Sequence, residues 1–315
     1  RNLDDKGILL DITETANEKF DSRGNVLEQT VVSKDADGKL IGSSKIVNSL
    51  FDNRGNAGKS VRRNLDDKGA LIVMQVVVNS EFNGRGNAGK TVRKTYDDKG
   101  IFLGSQVVLN HKYDARGNAL SQTIENYDEK GVFTDKQVVE NSDFNTRGNA
   151  GKSVRKNYDD KGVLIDSQIN LTKKFDKRGN ALEQTIENYD DKGLLLDKQE
   201  IVNSDFNTRG NPGKVVRKNY DADGMFLDSQ VTTNHKFDSR GNVLSQTVEN
   251  FDMDGKLVDK SEITNSEFTS RGNAGKIKRV NYDEKGNLLD SQVISNKKMD
   301  ARGNPLAQTI ENYDE

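Results

Sequence analysis

One arginine recurs at a fixed place in the chain and is the best candidate for a specific contact. It belongs to an x-x-Arg-Gly-Asn motif, at Arg23, Arg54, Arg85, Arg116, Arg147, Arg178, Arg209, Arg240, Arg271 and Arg302. A turn needs Asp and Gly, but it does not need Arg at this point. The column predicts one of two arrangements. The arginines are exposed and pack on the preceding aromatic, or they make inter-layer contacts with carboxylates on an adjacent winding or a neighbouring strip.

The residue types that usually carry catalysis show no singular arrangement. The two histidines, His111 and His235, stand in one column 124 residues apart, where other copies have Ser, Lys or Glu. Ser, Asp and Glu are abundant but repetitive, whereas a catalytic site needs one particular constellation. The chain has no cysteine, which excludes disulfides and Cys-based zinc sites. We therefore expect no enzyme activity, no cofactor and no metal.

An Asp-x-Asp-Gly pattern resembles part of a calcium loop. It occurs at 35–38, 221–224 and 252–255. Most copies have Lys before the Gly instead, and the distal Glu of a calcium loop is missing. Turn formation is the better interpretation of this pattern.

These motifs belong to a repeat with a constant period. Glycines that close an Asp-x-x-Gly motif stand 31 residues apart, from Gly7 to Gly286, and the glycines of Arg-Gly-Asn keep the same step from Gly24 to Gly303. The period predicts a single array of ten repeats over 1–315. Because both ends cut through a repeat, we expect the array to be part of a longer protein.

Both glycine sets predict hairpin turns. Tyr158-Asp159-x-x-Gly162 and Phe175-Asp176-x-x-Gly179 place Asp first and Gly fourth, which suits a type I turn followed by a left-handed glycine. The segments between the turns, such as 163–175 and 180–189, are rich in Val, Ile, Thr, Phe and Tyr and lack helical periodicity. The prediction is an all-β protein of 20 strands, long and short in alternation.

Composition limits what these strands can bury. Apolar residues make up 32% of the chain and charged residues 31%, so a thick dry core is not expected. With a net charge of −2, the chain lacks the positive electrostatic potential of a general nucleic-acid-binding protein. No apolar run approaches the ~20 residues of a membrane helix, so membrane insertion is not expected.

Two topologies fit the period: a continuous antiparallel β-meander, and a two-sided parallel β-solenoid with one coil per repeat. A solenoid needs an apolar inner face on both strands, but charged residues fall on both faces, so the pattern favours the meander. Long strands exceed short ones by three residues in every repeat, which would offset the strip steadily and wind it into a spiral or tube.

Polar and charged positions recur along the strands. Asn stands at one position of nearly every long strand, as at Asn48, and at one of nearly every short strand, as at Asn126. These columns are either solvated residues or side-chain amide ladders. From about residue 100, a longer period of 62 alternates acidic short strands with basic ones that contain Gly, as after Gly148. The strand before each basic one is acidic, which suggests control of register through opposite charges; the alternation is broken once, where the strands after Gly55 and Gly86 are both basic.

The turn motif resembles that of the YD-repeat (RHS) family. The likeness rests on Tyr96-Asp97-x-x-Gly100, Tyr127-Asp128-x-x-Gly131, Tyr158-Asp159-x-x-Gly162, Tyr189-Asp190-x-x-Gly193, Tyr220-Asp221-x-x-Gly224 and Tyr282-Asp283-x-x-Gly286. The resemblance, to toxin-complex shells and teneurins among others, implies a β-hairpin strip that spirals into a hollow, usually extracellular shell. The chain departs from the family in its strictly regular spacing, its uniform Arg-Gly-Asn and its lack of a protease or toxin segment.

The sequence thus predicts a structural repeat protein that forms a β-strip, fibre, tube or shell wall at the cell exterior, with itself as the main partner. Two alternatives stay open. One is an adhesin stalk or surface module that binds other cell-surface molecules, and the other is a toxin-encapsulating shell.

Overall fold

A computed structural model describes residues 2–3, 9–35, 37–238, 240–269, 272–299 and 305–314 of the protein. By its contacts the chain divides into two compact units. The first comprises Ile12–Ile169 with Tyr189–Leu194, and the second comprises Arg1–Asp11 with Asn170–Asn188 and Leu195–Glu315. In both units the described secondary structure is β-strands and turns.

The strands alternate between a long and a short type, as the turn spacing predicts. The long strands are β2 (Leu9–Phe20), β4 (Leu40–Phe51), β6 (Leu71–Phe82), β8 (Phe102–Tyr113), β10 (Phe133–Ser142), β12 (Leu164–Phe175), β14 (Leu195–Ser204), β16 (Phe226–Phe237), β18 (Leu257–Ser266) and β20 (Leu288–Met299). The short strands are β1 (Asn2–Leu3), β3 (Val26–Asp35), β5 (Ala57–Leu65), β7 (Ala88–Tyr96), β9 (Ala119–Tyr127), β11 (Lys152–Tyr158), β13 (Ala181–Tyr189), β15 (Lys214–Asp221), β17 (Val243–Phe251), β19 (Lys276–Asp283) and β21 (Pro305–Tyr313).

Consecutive strands pair in antiparallel fashion through the hairpin turns. The pairs run in chain order from β3 to β11 in the first unit and from β14 to β21 in the second. The described strands therefore form open sheets of successive hairpins. The all-β meander is confirmed, and the parallel solenoid is wrong because both turns of each repeat return the chain beside itself.

The pairing register slips by a constant amount along the sheet. In the first unit Val108 pairs with Ile124, and Ile124 pairs with Gln137. Gln137 follows Val108 by 29 residues, two fewer than the 31-residue repeat. In the second unit Ile263 pairs with Arg279, which pairs with Gln292, the same step. Of the three extra residues in each long strand, one is absorbed by the bulge beside the Asp-x-x-Gly turn, and the other two appear as the slip.

Few side chains are buried on these sheets. No side chain in the described part of the chain has less than 2% of its surface exposed. The buried apolar residues are Val73, Val139, Ile201 and Ile263, and the last three recur at the same place in every second repeat. A sheet with few buried side chains agrees with the low apolar content, so stability depends on backbone pairing, turns and polar side-chain contacts as well as on burial.

Candidate functional site

The Arg-Gly-Asn turns are the part of the repeat in which the sequence singles out a specific residue. The predicted positive φ of the turn glycines is confirmed, at 81° for Gly162 and 85° for Gly179. Gly179 N–H donates to the Asp176 carbonyl at 3.0 Å, and Asp176 N–H donates to the Asn180 carbonyl at 2.9 Å. These bonds close the turn and require a left-handed residue at the glycine position.

The first residue of each turn organises its backbone. Asp176 Oδ1 accepts the N–H groups of Arg178 and Asn180, both at 2.8 Å, and its Oδ2 accepts the side-chain amide of Asn180 at 2.8 Å. The same bonds form at Asp21, where the Asn25 side-chain amide, followed by the Asn25 backbone N–H, holds the pKa of the carboxyl below its usual value. Asn at the end of the motif therefore belongs to the turn.

The asparagine of one turn also packs on the glycine of the next. A Cβ on Gly210 would lie 2.6 Å from Asn180 Oδ1, and one on Gly148 would lie 2.6 Å from Asn118 Oδ1. The same stacking occurs at Gly55, Gly86, Gly117, Gly241 and Gly272. By contrast, a Cβ on Gly162 in an Asp-x-x-Gly turn would meet nothing within 4 Å. At these seven Arg-Gly-Asn turns glycine is thus needed for space as well as for φ, and neighbouring turns are in direct contact, whereas a Cβ on Gly24 would meet nothing within 4 Å.

The arginines link successive turns of the same edge. A guanidinium nitrogen of Arg23 donates to the Asp52 carbonyl at 2.9 Å, that of Arg116 to the Asn145 carbonyl at 3.2 Å, and that of Arg240 to the Thr269 carbonyl at 2.7 Å. The corresponding bond of Arg178, to the Thr208 carbonyl, measures 3.5 Å. Each of these bonds spans 29 or 30 residues, so the side chain crosses from its own turn to the next.

In the described part of the chain, Arg23, Arg178 and Arg240 also face the carboxylate of their own turn. The Nε–Oδ2 distance is 3.7 Å for Arg23 and Asp21, 3.9 Å for Arg178 and Asp176, and 3.7 Å for Arg240 and Asp238. The three cation–π contacts seen in the described residues use lysines, as with Lys136 over Tyr158.

The rest of the column is placed as follows. Arg54, Arg85, Arg147 and Arg209 donate their backbone N–H to the first side chain of their own turns, each at 2.9 Å. Arg271 and Arg302 lie outside the described residues. The inter-layer role proposed for the whole column stays a prediction.

The strand asparagines form specific ladders. In β9, Asn126 accepts from Gln106 at 3.2 Å and donates to Asp135 at 2.7 Å, so one amide joins three strands. The Asn-to-Asp bond recurs at Asn157–Asp166, Asn188–Asp197, Asn219–Asp228, Asn250–Asp259 and Asn281–Asp290. The sequence alone leaves this pairing open, because the pairing depends on the register between strands.

A second ladder lies beside the Arg-Gly-Asn turns. Asn79 Nδ2 donates to the Ala57 carbonyl at 3.2 Å, and its Oδ1 accepts from Thr91 at 2.9 Å. The next copy, Asn110, bonds the Ala88 carbonyl and accepts from Gln122 in the same way. Where the column holds Asn, this ladder satisfies a carbonyl at or just before the start of the preceding short strand, as at Ala119 and Ala181.

The alternation between Gly-containing and Leu-containing repeats has a backbone cause that the sequence alone does not reveal. Five repeats have a left-handed residue within one position of the end of the long strand, at Leu50, Glu81, Asp143, Asp205 and Glu267. Each of these residues lies against a glycine that follows the next Arg-Gly-Asn turn, at Gly58, Gly89, Gly151, Gly213 and Gly275 respectively. Gly151 N–H donates to both the Ser142 and Asp143 carbonyls, at 3.1 and 3.0 Å, and a Cβ on Gly151 would lie 2.6 Å from the Asp143 oxygen. The signal in the sequence is a column that holds either Gly or Leu, with Gly in the consecutive copies Gly58 and Gly89 and then in every second copy, alternating with Leu as at Leu182.

The predicted pairing of opposite charges does not occur at the acidic strand before Lys152. In the described residues no ion pair joins Glu140 or Asp143, on the acidic strand, to the following basic residues Lys152, Arg155 and Lys156. Ion pairs across the Arg-Gly-Asn hairpin occur instead in the repeats that have Leu where others have Gly, as between Lys174 and Glu183 at 3.5 Å. These exposed pairs contribute little free energy.

The histidines take part in ordinary strand contacts. His111 Nε2 lies 2.8 Å from Thr123 Oγ1, and His235 Nε2 lies 2.8 Å from Thr247 Oγ1, both at exposed positions. Over the described ranges, no group of three His, Asp or Glu side chains is arranged to hold a metal ion. The same ranges contain no helix long and apolar enough to span a bilayer.

Comparison with known proteins returns structural neighbours at low similarity. No protein-family model matches the chain, and no curated protein matches its sequence. The TcdB2-TccC3-Cdc42 crystal structure aligns at 10% identity over 90% of this chain and 25% of the other, with a TM-score of 0.15. The Photorhabdus luminescens Tc holotoxin pore aligns at 12% identity over 91% and 22%, with a TM-score of 0.13. The chain thus spans a quarter or less of these proteins, and TM-scores this low carry no structural argument.

Proposed function

We propose that this chain is a structural repeat protein whose β-strip winds into a fibre, tube or shell wall outside the cell. The observation that carries the proposal is the constant register slip, which is the same in both units. A regular strip that shifts by the same amount at each repeat adds identical increments along its length. This is the behaviour of a building element, in which no single repeat is distinguished from the rest.

The slip has a magnitude that suits winding. Two residues per repeat is roughly 6.8 Å along the strands, while two strand spacings are roughly 9.6 Å across them. The resulting slant is about 35°, within the range of tilts that lets a sheet curl around an axis. Winding follows from this slant together with the natural twist of β-sheets.

The turn edge supports continuity from repeat to repeat. Asn stacking on the next glycine and Arg bonding to the next carbonyl join neighbouring turns along one edge. Arg23 and Arg178 nevertheless keep 47% and 48% of their side-chain surface exposed. They remain able to reach carboxylates of an adjacent winding or a neighbouring strip, so the partner we propose is the protein itself.

The placement of aromatic residues favours a wall over a glycan-binding stalk. A glycan binder would display exposed aromatics in mid-strand. The ring pairs Tyr96–Phe102, Tyr127–Phe133 and Tyr220–Phe226, with centroids 5.6–5.8 Å apart, instead flank the Asp-x-x-Gly turns. These ring contacts stabilise the hairpins on the edge of the sheet opposite the arginines.

Electron microscopy of the purified chain over a range of concentrations tests the proposal. We expect curved strips or tubes of uniform width. Replacing the Arg column with Gln should leave antiparallel β-structure by infrared spectroscopy while loosening the assemblies. Flexible monomers of irregular curvature at every concentration would contradict the structural role. Unchanged particles in the Gln variant would leave the wall intact but remove the arginines from its contacts.

A further inference from the structure

We propose that Asn83 is a self-modification site, at which the Gly84 backbone nitrogen converts the Asn83 amide to a cyclic imide and then to aspartate or isoaspartate. Asn83-Gly84 is the only Asn-Gly dipeptide in the chain. It stands at the first two positions of an Arg-Gly-Asn turn, where the other repeats have Asp, Asn or Thr followed by a residue with a side chain. The inference does not depend on the proposed function.

The turn holds the amide of Asn83 with two backbone donors. Asn83 Oδ1 accepts the N–H of Arg85 at 2.9 Å and that of Asn87 at 3.0 Å. When a nucleophile attacks Cγ, negative charge develops on this oxygen, and donors already aimed at it stabilise the transition state. The turn therefore places an oxyanion-binding arrangement around the side chain that reacts.

Gly84 supplies the nucleophile with little steric hindrance. Gly84 is exposed, and a Cβ built on it would meet nothing within 4 Å. Its missing side chain leaves the backbone freedom that ring closure needs.

The reaction balances without a co-reactant other than water. The Gly84 nitrogen bonds to Asn83 Cγ, the Cγ–Nδ2 bond breaks, and the Gly84 proton leaves with the amide as ammonia. Water then opens the imide at either carbonyl, which yields Asp or isoaspartate.

An aspartate at position 83 fits this turn, because neighbouring repeats already have Asp at the equivalent position. Asp52, one repeat earlier, accepts the Arg54 and Asn56 N–H groups at 2.9 Å and the Asn56 side-chain amide at 2.8 Å. At present the Asn87 side-chain amide donates to the Gly117 carbonyl at 3.3 Å. Conversion of Asn83 would add a negative charge to this turn and offer Asn87 a carboxylate in its own turn.

The repeats provide matched controls. Asn145 and Asn207 hold the same turn position with the same two donors, at 2.9 and 3.0 Å each, but Thr146 and Thr208 follow them. A β-branched neighbour restricts the backbone and crowds the attacking nitrogen. These turns therefore isolate the contribution of Gly84.

Peptide mass spectrometry of the folded 315-residue chain, incubated at mildly alkaline pH, tests the proposal. We expect conversion at Asn83 to exceed that at Asn145 and Asn207 by at least about tenfold, which corresponds to about 1.4 kcal/mol in activation free energy. Gly84→Thr should abolish the difference, and Thr146→Gly should create a second site at Asn145. Equal rates at the three turns, or conversion of Asn83 only after unfolding in urea, would overturn it.

Discussion

The two glycine sets of the repeat should respond differently to the same substitution, and Gly117→Ala compared with Gly131→Ala tests this within one repeat. Their φ values are 92° and 78°, so both variants place alanine in the left-handed region. That strain costs roughly 1–2 kcal/mol. A Cβ on Gly131 meets nothing within 4 Å, whereas one on Gly117 would lie 2.6 Å from Asn87 Nδ2.

The clash at Gly117 adds a second cost. Asn87 Nδ2 donates to the Gly117 carbonyl at 3.3 Å, and moving the amide away would break this bond. A neutral hydrogen bond contributes about 0.5–1.5 kcal/mol. We therefore expect Gly117→Ala to destabilise its turn by about 1 kcal/mol more than Gly131→Ala does.

Hydrogen exchange on the full chain measures this difference locally, because a repeat array need not unfold in one step. The probes are the N–H groups of Asp114 and Asp128, which bond the Asn118 and Val132 carbonyls at 2.9 and 3.0 Å and close equivalent turns. Turns several repeats away serve as the internal reference. Equal losses of protection in the two variants would refute the stacking argument and leave φ as the only demand on these glycines.

Three further outcomes are expected. The side-chain amides of Asn25 and Asn56 lower the pKa of Asp21 and Asp52, respectively. The stability that these carboxylates contribute should therefore be present above about pH 3.9 and be lost as the pH falls through their lower folded-state pKa values. An acid titration followed by circular dichroism that is unchanged by Asp52→Asn would contradict this. Gly151→Leu should destabilise the protein by roughly 1–3 kcal/mol through overpacking against the Asp143 carbonyl. Adding Asp143→Lys recreates the combination found at Lys174 and Leu182, and it should recover part of that loss in urea unfolding. No recovery would disprove the pairing of Asp143 with Gly151. Asn126→Leu should cost roughly 1–3 kcal/mol because its strand partners lose their bonds, and a fully retained melting temperature would show that the ladder is merely solvated.

Much of the fold could be predicted because its determinants are local. Asp at the first turn position and Gly at the fourth specify a hairpin within five residues, as Asp159 and Gly162 show. Two sets of ten turns, each set with a constant period of 31 residues, leave antiparallel pairing as the simplest arrangement. The inequality of strand lengths, also visible in the sequence, predicted a steady offset along the strands. The structure supplied the size of the offset by revealing the bulge that absorbs one residue.

The sequence by itself determined the period, the turns, the strand types and the thin core. Only the tertiary structure decided which side chains meet. Arg116 reaches a carbonyl 29 residues away, Asn126 joins residues 20 and 9 positions distant, and Asn180 covers the glycine of the next turn. The left-handed residue at Asp143 likewise has meaning only beside Gly151 on the partner strand. These contacts depend on register, and register is set by the sum of turns, bulges and strand lengths across neighbouring hairpins, which no single motif contains.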